Sequence, residues 1–144
     1  MRHRPVRAFD WVTYHADVRP NKVALIDDGR DLTITYGDLG DRVARLATWL
    51  VHVGIERGDR VAFLAENTTD IFEVLFACGR VGAILVPLNW RLTVPELRFM
   101  IADATPRILI FEEQFIESAT QLDVPQTLRL GDDFEVAKAQ SDPS

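Results

Sequence analysis

Gly82-Ala83-Ile84-Leu85-Val86-Pro87-Leu88-Asn89-Trp90-Arg91-Leu92-Thr93-Val94-Pro95-Glu96-Leu97 joins a short apolar run to a capped helix through a polar turn. Residues 83–86 read as a buried strand, ended by Pro87, which has no N–H to offer a continuing ladder. Thr93 reads as a helix N-cap, with Pro95 in the first turn and Glu96 completing a capping box. Asn89, Trp90 and Arg91 fall between strand end and helix start. In an open parallel sheet, ligands gather beyond the carboxyl ends of the strands, so chemistry is expected near this turn. The competing reading is a structural turn with a packing tryptophan.

The same alternation extends on both sides. Towards the C-terminus, the spacing predicts a helix over 94–104 with Leu97, Met100, Ile101 and Ala104 inward, then an apolar strand over 107–111. Towards the N-terminus, Val61-Ala62-Phe63-Leu64-Ala65 is apolar without alternation, as in a strand covered on both faces. Asn67-Thr68-Thr69 offers cap chemistry for a helix over 70–81. Ile71, Val74, Leu75 and Cys78 form one stripe of it and Phe72 and Phe76 a second, which predicts a helix sandwiched in the core and closed by Gly82. Strand, helix, strand, helix, strand implies parallel crossovers with helices on both faces of the sheet.

Before this unit, residues 8–18 carry a helical pattern that ends at Pro20. Two strands, 23–26 and 32–35, follow around Asp27-Asp28-Gly29-Arg30, a hairpin expected at the edge of the sheet. Thr35 and Asp38 open a helix over 36–53, apolar at Leu39, Val43, Leu46, Ala47 and Leu50 and ended by Gly54. After Phe111 the pattern weakens to a helix over 115–122 and a strand over 126–130. Residues 132–144 are polar and read as a loop. The expected organisation is a flexible basic arm at 1–7, one α/β subdomain over 8–131, and a polar linker over 132–144.

With 144 residues, 47% of them hydrophobic and 26% charged, the chain has the composition of one globular domain. A net charge of −6 argues against nucleic acid and anionic membrane as general partners; membrane contact is at most peripheral, through the N-terminal arginines. Cys78 is the single cysteine, which excludes an internal disulfide and a cysteine-based zinc site, and it reads as a small core residue. His3, His15 and His52 lack metal-ligand spacing. The basic start is interrupted by Asp10 and Asp17 before any secretory apolar region, and no run approaches the roughly 18 apolar residues of a membrane span, so a soluble, cytoplasmic protein is expected.

Motif chemistry is sparse. The sequence contains no GxGxxG, no GxxxxGK[ST] and no GxSxG. Asp27-Asp28, Glu112-Glu113 and Asp132-Asp133 are adjacent acids that read as solvated turn charges rather than an acid/base pair.

The ordered string of short pieces nevertheless resembles a known family. Pro20-Asn21-Lys22-Val23-Ala24-Leu25, Leu32-Thr33-Ile34-Thr35-Tyr36-Gly37-Asp38-Leu39, Gly54-Ile55-Glu56-Arg57-Gly58-Asp59-Arg60-Val61-Ala62, Glu66-Asn67 and Gly82–Asn89 with Arg91-Leu92 are similar, in order and spacing, to the start of adenylate-forming enzymes. Over residues 8–112 the chain resembles the N-terminal subdomain of an acyl-CoA synthetase of the fatty-acid or aromatic-acid type. The resemblance implies a partial N-terminal domain of that α/β fold and an ATP-dependent ligase that adenylates a carboxylate and passes the acyl group to coenzyme A. It implies ATP, magnesium and CoA for the complete enzyme, none of them bound by this chain, because the family's phosphate loop, its later acidic and aromatic motifs and its C-terminal lysine are absent from this sequence.

Two positions carry over. By resemblance, Arg91 faces the entrance where CoA and the mobile domain meet; the alternative is a surface salt bridge. Trp90 either packs or lines the acyl tunnel, and Asn89 is a turn former. No catalytic or metal residue is expected. The partners implied are the remainder of the same enzyme or a complementary chain, with a fatty or aromatic carboxylic acid as the complete enzyme's substrate. A stand-alone module completing a split enzyme is the rival reading. A flavodoxin-like regulator is disfavoured by the lack of an acidic phospho-acceptor site. Apolar surface left uncovered by the missing parts is expected to drive self-association.

Overall fold

The computed structural model describes residues 11–66 and 68–143. The basic arm at 1–7, the first residues of the helix expected from Ala8, and Asn67 lie outside the described residues.

The elements in order are α1 (Trp11–Val18), β1 (Val23–Asp27), β2 (Leu32–Thr35), α2 (Tyr36–His52), β3 (Arg60–Leu64) and α3 (Asp70–Val81). They continue with β4 (Ile84–Pro87), α4 (Val94–Ala104), β5 (Ile108–Phe111), α5 (Ile116–Ala119), β6 (Gln126–Arg129) and α6 (Asp132–Ala139). The main sheet has the order β4-β3-β5-β6, and each neighbouring pair is parallel. Pro87 is the last residue of β4, opposite Phe63. It is tolerated because β4 is an edge strand, and the ladder passes on to Leu88, whose N–H donates to the Phe63 carbonyl at 2.8 Å.

Burial on both faces follows from strand alternation. Val61, Phe63, Ile108, Ile110 and Leu128 point into one core with α1, α2, α3 and α6, where Leu46, Leu50 and Phe134 are fully enclosed. Ala62, Leu64, Leu109 and Phe111 point the other way, against Leu97 and Ile101 of α4 and Ala119 of α5. Each fully buried leucine contributes on the order of 1.5–3 kcal/mol relative to exposure. The expected caps form: Thr35 Oγ1 accepts from the Asp38 N–H at 3.2 Å. Thr93 and Glu96 close a reciprocal capping box, with the Thr93 N–H donating to Glu96 Oε2 at 2.8 Å. Gly82, at φ 84°, ends α3 in the left-handed conformation that the turn into β4 requires.

Four expectations are corrected. The hairpin is a separate two-stranded antiparallel sheet rather than an edge of the main one. Ile34 is buried and Ala24, Leu25 and Leu32 pack into the helical core, so side chains rather than backbone pairing hold it. α3 is not sandwiched, since Phe72 and Leu75 are exposed while Val74, Ala77 and Cys78 face inward. The helix expected over 115–122 is a 3₁₀ turn at Glu113–Phe115 followed by the single turn of α5. Residues 132–139 form a helix where a loop was expected. Phe134 and Ala137 are buried and Lys138 is 2% exposed, because the chain after β6 packs back on α2.

Candidate functional site at the carboxyl end of the sheet

After β4 the chain turns sharply. Asn89 Oδ1 accepts from the Arg91 N–H at 3.0 Å and its carbonyl from the Leu92 N–H at 3.1 Å, the local side-chain turn expected of asparagine. This turn fixes the two following side chains together. Trp90 is half-buried on the α4 side of the sheet, its ring centre 5.9 Å from that of Phe115. The Arg91 guanidinium lies 4.8 Å from the Trp90 ring centre, a cation–π contact on an exposed surface. Among the described residues Arg91 has no carboxylate partner, so the simple surface salt bridge is not formed. A guanidinium over an indole ring is oriented without being neutralised, so its charge is available to an anion.

The neighbouring strand ends are tied by carboxylates. Glu112, following β5, accepts from the Glu66 N–H at 2.9 Å and from Gln114 Nε2 at 2.8 Å, which bridges the exits of β3 and β5. Arg129, ending β6, lies 3.4 Å from both Glu113 and Asp133. At the start of α3, Arg30 binds Asp27 at 2.8 Å, buried Asp70 at 3.2 Å and Thr69 Oγ1 at 2.7 Å. The hydrogen bond from Arg30 holds the Asp27 carboxyl below its ordinary range. Thr69 itself is helical and makes no cap bond; Thr68 Oγ1 accepts from the Asp70 N–H instead, at 3.3 Å. Between the hairpin tip and this helix start opens a cleft of about 520 Å³, floored by Phe63, Ala65 and Leu88.

One cluster had no local signal in the sequence. Lys138 Nζ donates to Glu73 Oε2 at 2.6 Å and to Glu135 Oε1 at 3.0 Å. Arg42 donates to Glu73 Oε1 and Glu135 Oε1, each at 2.6 Å. Burial pushes the Glu135 carboxyl upward, but hydrogen bonds from Arg42 and Lys138 outweigh it and leave the group below its ordinary value. The partners come from α2, α3 and α6, so only the tertiary fold brings them together. This network ties three helices together.

Other candidate chemistry is excluded by environment. Cys78 is buried and its thiol is pushed up to about 12 by desolvation, the opposite of an activated nucleophile. Among the described residues no group of three or more His, Cys, Asp or Glu is placed to hold a metal ion. The glycines with positive φ, Gly54, Gly58, Gly82 and Gly131, serve helix ends and turns, and the Gly58 N–H donates to the Gly82 carbonyl at 2.9 Å. No helix among the described residues is long and apolar enough to cross a membrane.

Comparison with known proteins gives this geometry its context. The sequence model of the AMP-binding enzyme family matches residues 12–143. A feruloyl-CoA synthase of an Amycolatopsis species is 42% identical over 120 residues, covering 83% of this chain and 24% of the relative. The fatty acid–[acyl-carrier-protein] ligase ScoC of Streptomyces coeruleorubidus is 36% identical over 130 residues, covering 88% and 25%. This chain thus spans about a quarter of the length of the curated relatives it matches. The inhibitor-bound N-terminal domain of FACL13 from Mycobacterium tuberculosis aligns with a TM-score of 0.87 at 25% identity, covering 94% of this chain and 36% of that one. The chain belongs to the AMP-binding enzyme family, and its fold is part of the N-terminal domain of that family's acyl-CoA synthetases.

Proposed function

We propose that this chain is the N-terminal portion of an ATP-dependent ligase that converts a carboxylic acid to its acyl-adenylate and then to a thioester. A carboxylate oxygen attacks the α-phosphorus of ATP and pyrophosphate leaves; a thiol then attacks the acyl carbon and AMP leaves. The observation that carries this reading is the family match across residues 12–143 in a chain that covers a quarter of its relatives. The groups that bind ATP and magnesium belong to sequence not contained in these 144 residues, so the chain alone is inactive. Its own contribution is the parallel sheet and the turn holding Arg91 on Trp90, suited to a phosphate of the incoming thiol substrate. Aromatic and fatty acids are both proposed as substrates, because relatives at comparable identity are named for a feruloyl and a fatty acyl group.

The test is acid-dependent pyrophosphate exchange into ATP, measured for the 144-residue chain and for the complete ligase containing it. The chain alone is expected to give none, and the complete ligase exchange with one class of acid. Exchange by the isolated chain, or none by the complete ligase with any cinnamic, arylacetic or fatty acid, overturns the reading. A second reading has the missing parts on a separate chain. It is favoured by the apolar surface left open at Ile26, Phe72, Leu75 and Phe99, and it predicts co-purification at fixed stoichiometry.

A further inference from the structure

The amino end of the sheet, opposite the turn that carries Arg91, gathers cations without counter-ions. Arg60 opens β3, and the Arg107 N–H donates to its carbonyl at 2.9 Å. The register that pairs Val61 with Ile108 sets Arg60 beside Arg107, with Cα atoms about 4.8 Å apart. Both begin the row that continues through Ala62, Leu64, Leu109 and Phe111, so they share the α4 face. Like charges side by side on neighbouring strands repel. Among the described residues neither arginine has an ion pair, in a chain whose net charge is −6. Arg107 also lines a cleft of about 470 Å³ between the end of α4 and the loop before β6. Arg98 of α4 lines it too, its Nε tethered to the Gln121 carbonyl at 3.1 Å, which leaves the two terminal nitrogens uncommitted. Thr105 at the rim is held at φ 46°, a strained backbone for a β-branched residue, of the kind that clusters at ligand sites. Its hydroxyl has no hydrogen-bond partner among the described residues. Ile101, Pro106 and Pro125 supply apolar walls, and Asp123 is the one acid in the lining.

We propose that this cleft binds a phosphate monoester. Arg98 and Arg107 hold the phosphoryl group, with Arg60 alongside and the Thr105 hydroxyl as a neutral donor, and the organic body lies against Ile101, Pro106 and Pro125. Charge selects the anion. Three guanidinium groups against the Asp123 carboxylate leave an excess of two positive charges, which a nearly dianionic phosphoryl group neutralises and a carboxylate leaves half unmet. Arginine forks also match phosphoryl oxygens in pairs. The apolar walls call for an ester rather than free phosphate, since they add contact only to a ligand with an organic body. The cleft lies at the other end of the sheet from the chemistry proposed above, so its ligand is independent of that reading.

The experiment titrates the ¹⁵N-labelled 144-residue chain with phenyl phosphate, inorganic phosphate and benzoate at low ionic strength, read from the backbone amide shifts of Thr105, Arg107 and Gln121. Phenyl phosphate is expected to saturate these shifts and to bind about tenfold more tightly than either of the other two. Arg98→Gln and Arg107→Gln are each expected to weaken it by about tenfold or more, the loss of one charge-assisted contact. Asp123→Asn is expected to tighten it, because the one repelling charge in the lining is gone. Arg19→Gln, which removes an exposed arginine after α1 that has no ion pair among the described residues, is expected to leave the affinity unchanged. Benzoate bound as tightly as phenyl phosphate overturns the phosphoryl assignment, and inorganic phosphate bound as tightly overturns the role of the apolar walls. The site itself is overturned in the parent chain by shifts that do not saturate or that fall at the Arg91 turn instead. Arg19→Gln weakening binding as much as Arg107→Gln overturns it as well, since the attraction then belongs to overall charge.

Discussion

Glu73 is the charge this fold is least able to lose a partner from. Its side chain is 1% exposed and sits between Arg42 and Lys138, each 2.6 Å away, and Lys138 is itself 3% exposed. Replacing Glu73 with leucine strips Lys138 of its buried counter-ion and leaves it Glu135, half in solvent, at 3.0 Å and the face of Phe134 at 4.1 Å. Removing one member of such a pair costs about 3–5 kcal/mol, because the survivor keeps its desolvation penalty without its attraction. In a domain of this size that lowers Tm by about 10–15 °C, at roughly 3 °C per kcal/mol. Lys138→Met is milder, about 1–3 kcal/mol, since Glu73 retains Arg42. The pair Glu73→Leu with Lys138→Met removes both buried charges and returns to within about 1 kcal/mol of the parent, because packed apolar groups of like volume replace an ion pair at little cost. Urea unfolding of the four proteins, followed by tryptophan fluorescence, closes the cycle and gives a coupling of about 2 kcal/mol or more. A Glu73→Leu cost below about 1 kcal/mol, or strict additivity in the double variant, refutes the claim that this network locks α6 to the body of the fold.

Three carboxyls with lowered folded values link stability to pH on the acid side. Asp27 is held low by the hydrogen bond from Arg30 and Glu96 by the N–H of Thr93; for Glu135, burial pushes upward but the bonds from Arg42 and Lys138 prevail. Folded values lie below the ordinary 3.8 and 4.5, so the unfolded chain binds more protons in that window. Their stabilisation is complete above the ordinary values and is lost as pH falls through the folded ones; a Tm that stays level on acidification through this range contradicts it. Gly40 lies on α2 where an added Cβ comes within 2.9 Å of the Ala16 Cβ. Gly40→Val is therefore expected to push α1 away and cost about 1–3 kcal/mol in denaturant titration. Cys78 should resist a water-soluble disulfide reagent in the native chain and react fully in denaturant, as a buried thiol at about 12 requires. In the complete ligase, Arg91→Ala is expected to lower kcat/KM for the thiol substrate by about tenfold, the worth of one charge-assisted contact, while pyrophosphate exchange is unchanged. Equal loss in both half-reactions would remove Arg91 from the thiol side.

The pattern of strands and helices was legible because it rests on local signals that agree with one another. Val61 to Leu64 and Ile108 to Phe111 are apolar on both faces because the sheet is covered on both faces. Thr35, Thr93 and Gly82 mark boundaries because unpaired backbone groups at helix ends have few other solutions. α6 was missed through its composition, although its signals are present: Asp132 and Asp133 in the first turn, Lys138 in the last, and Phe134 with Ala137 three residues apart. A lysine at a helical core position reads as polar surface until its counter-ion on another helix is seen. The hairpin's place was illegible for a different reason, since side-chain packing of Ile34 rather than strand pairing decides it. At the candidate site the Asn89 turn was readable from residue type, whereas Arg91 stacking on Trp90, and Trp90 in turn against Phe115, needs two loops brought together.

The charges at the ends of the strands are mostly engaged in holding the fold together. A general base or nucleophile needs a titratable group with one protonation partner free to change during reaction. Here Glu112 receives the Glu66 N–H, and Asp27 and Asp70 share Arg30, whereas Asp28 and the Glu66 carboxylate have no cationic partner among the described residues. Arg129 is likewise held between Glu113 and Asp133. Arg91 differs in that its guanidinium is stabilised by a ring face, which orients the cation without neutralising it. A cation so held can attract a phosphate and cannot take a proton, the property on which the proposed contact with the thiol substrate rests.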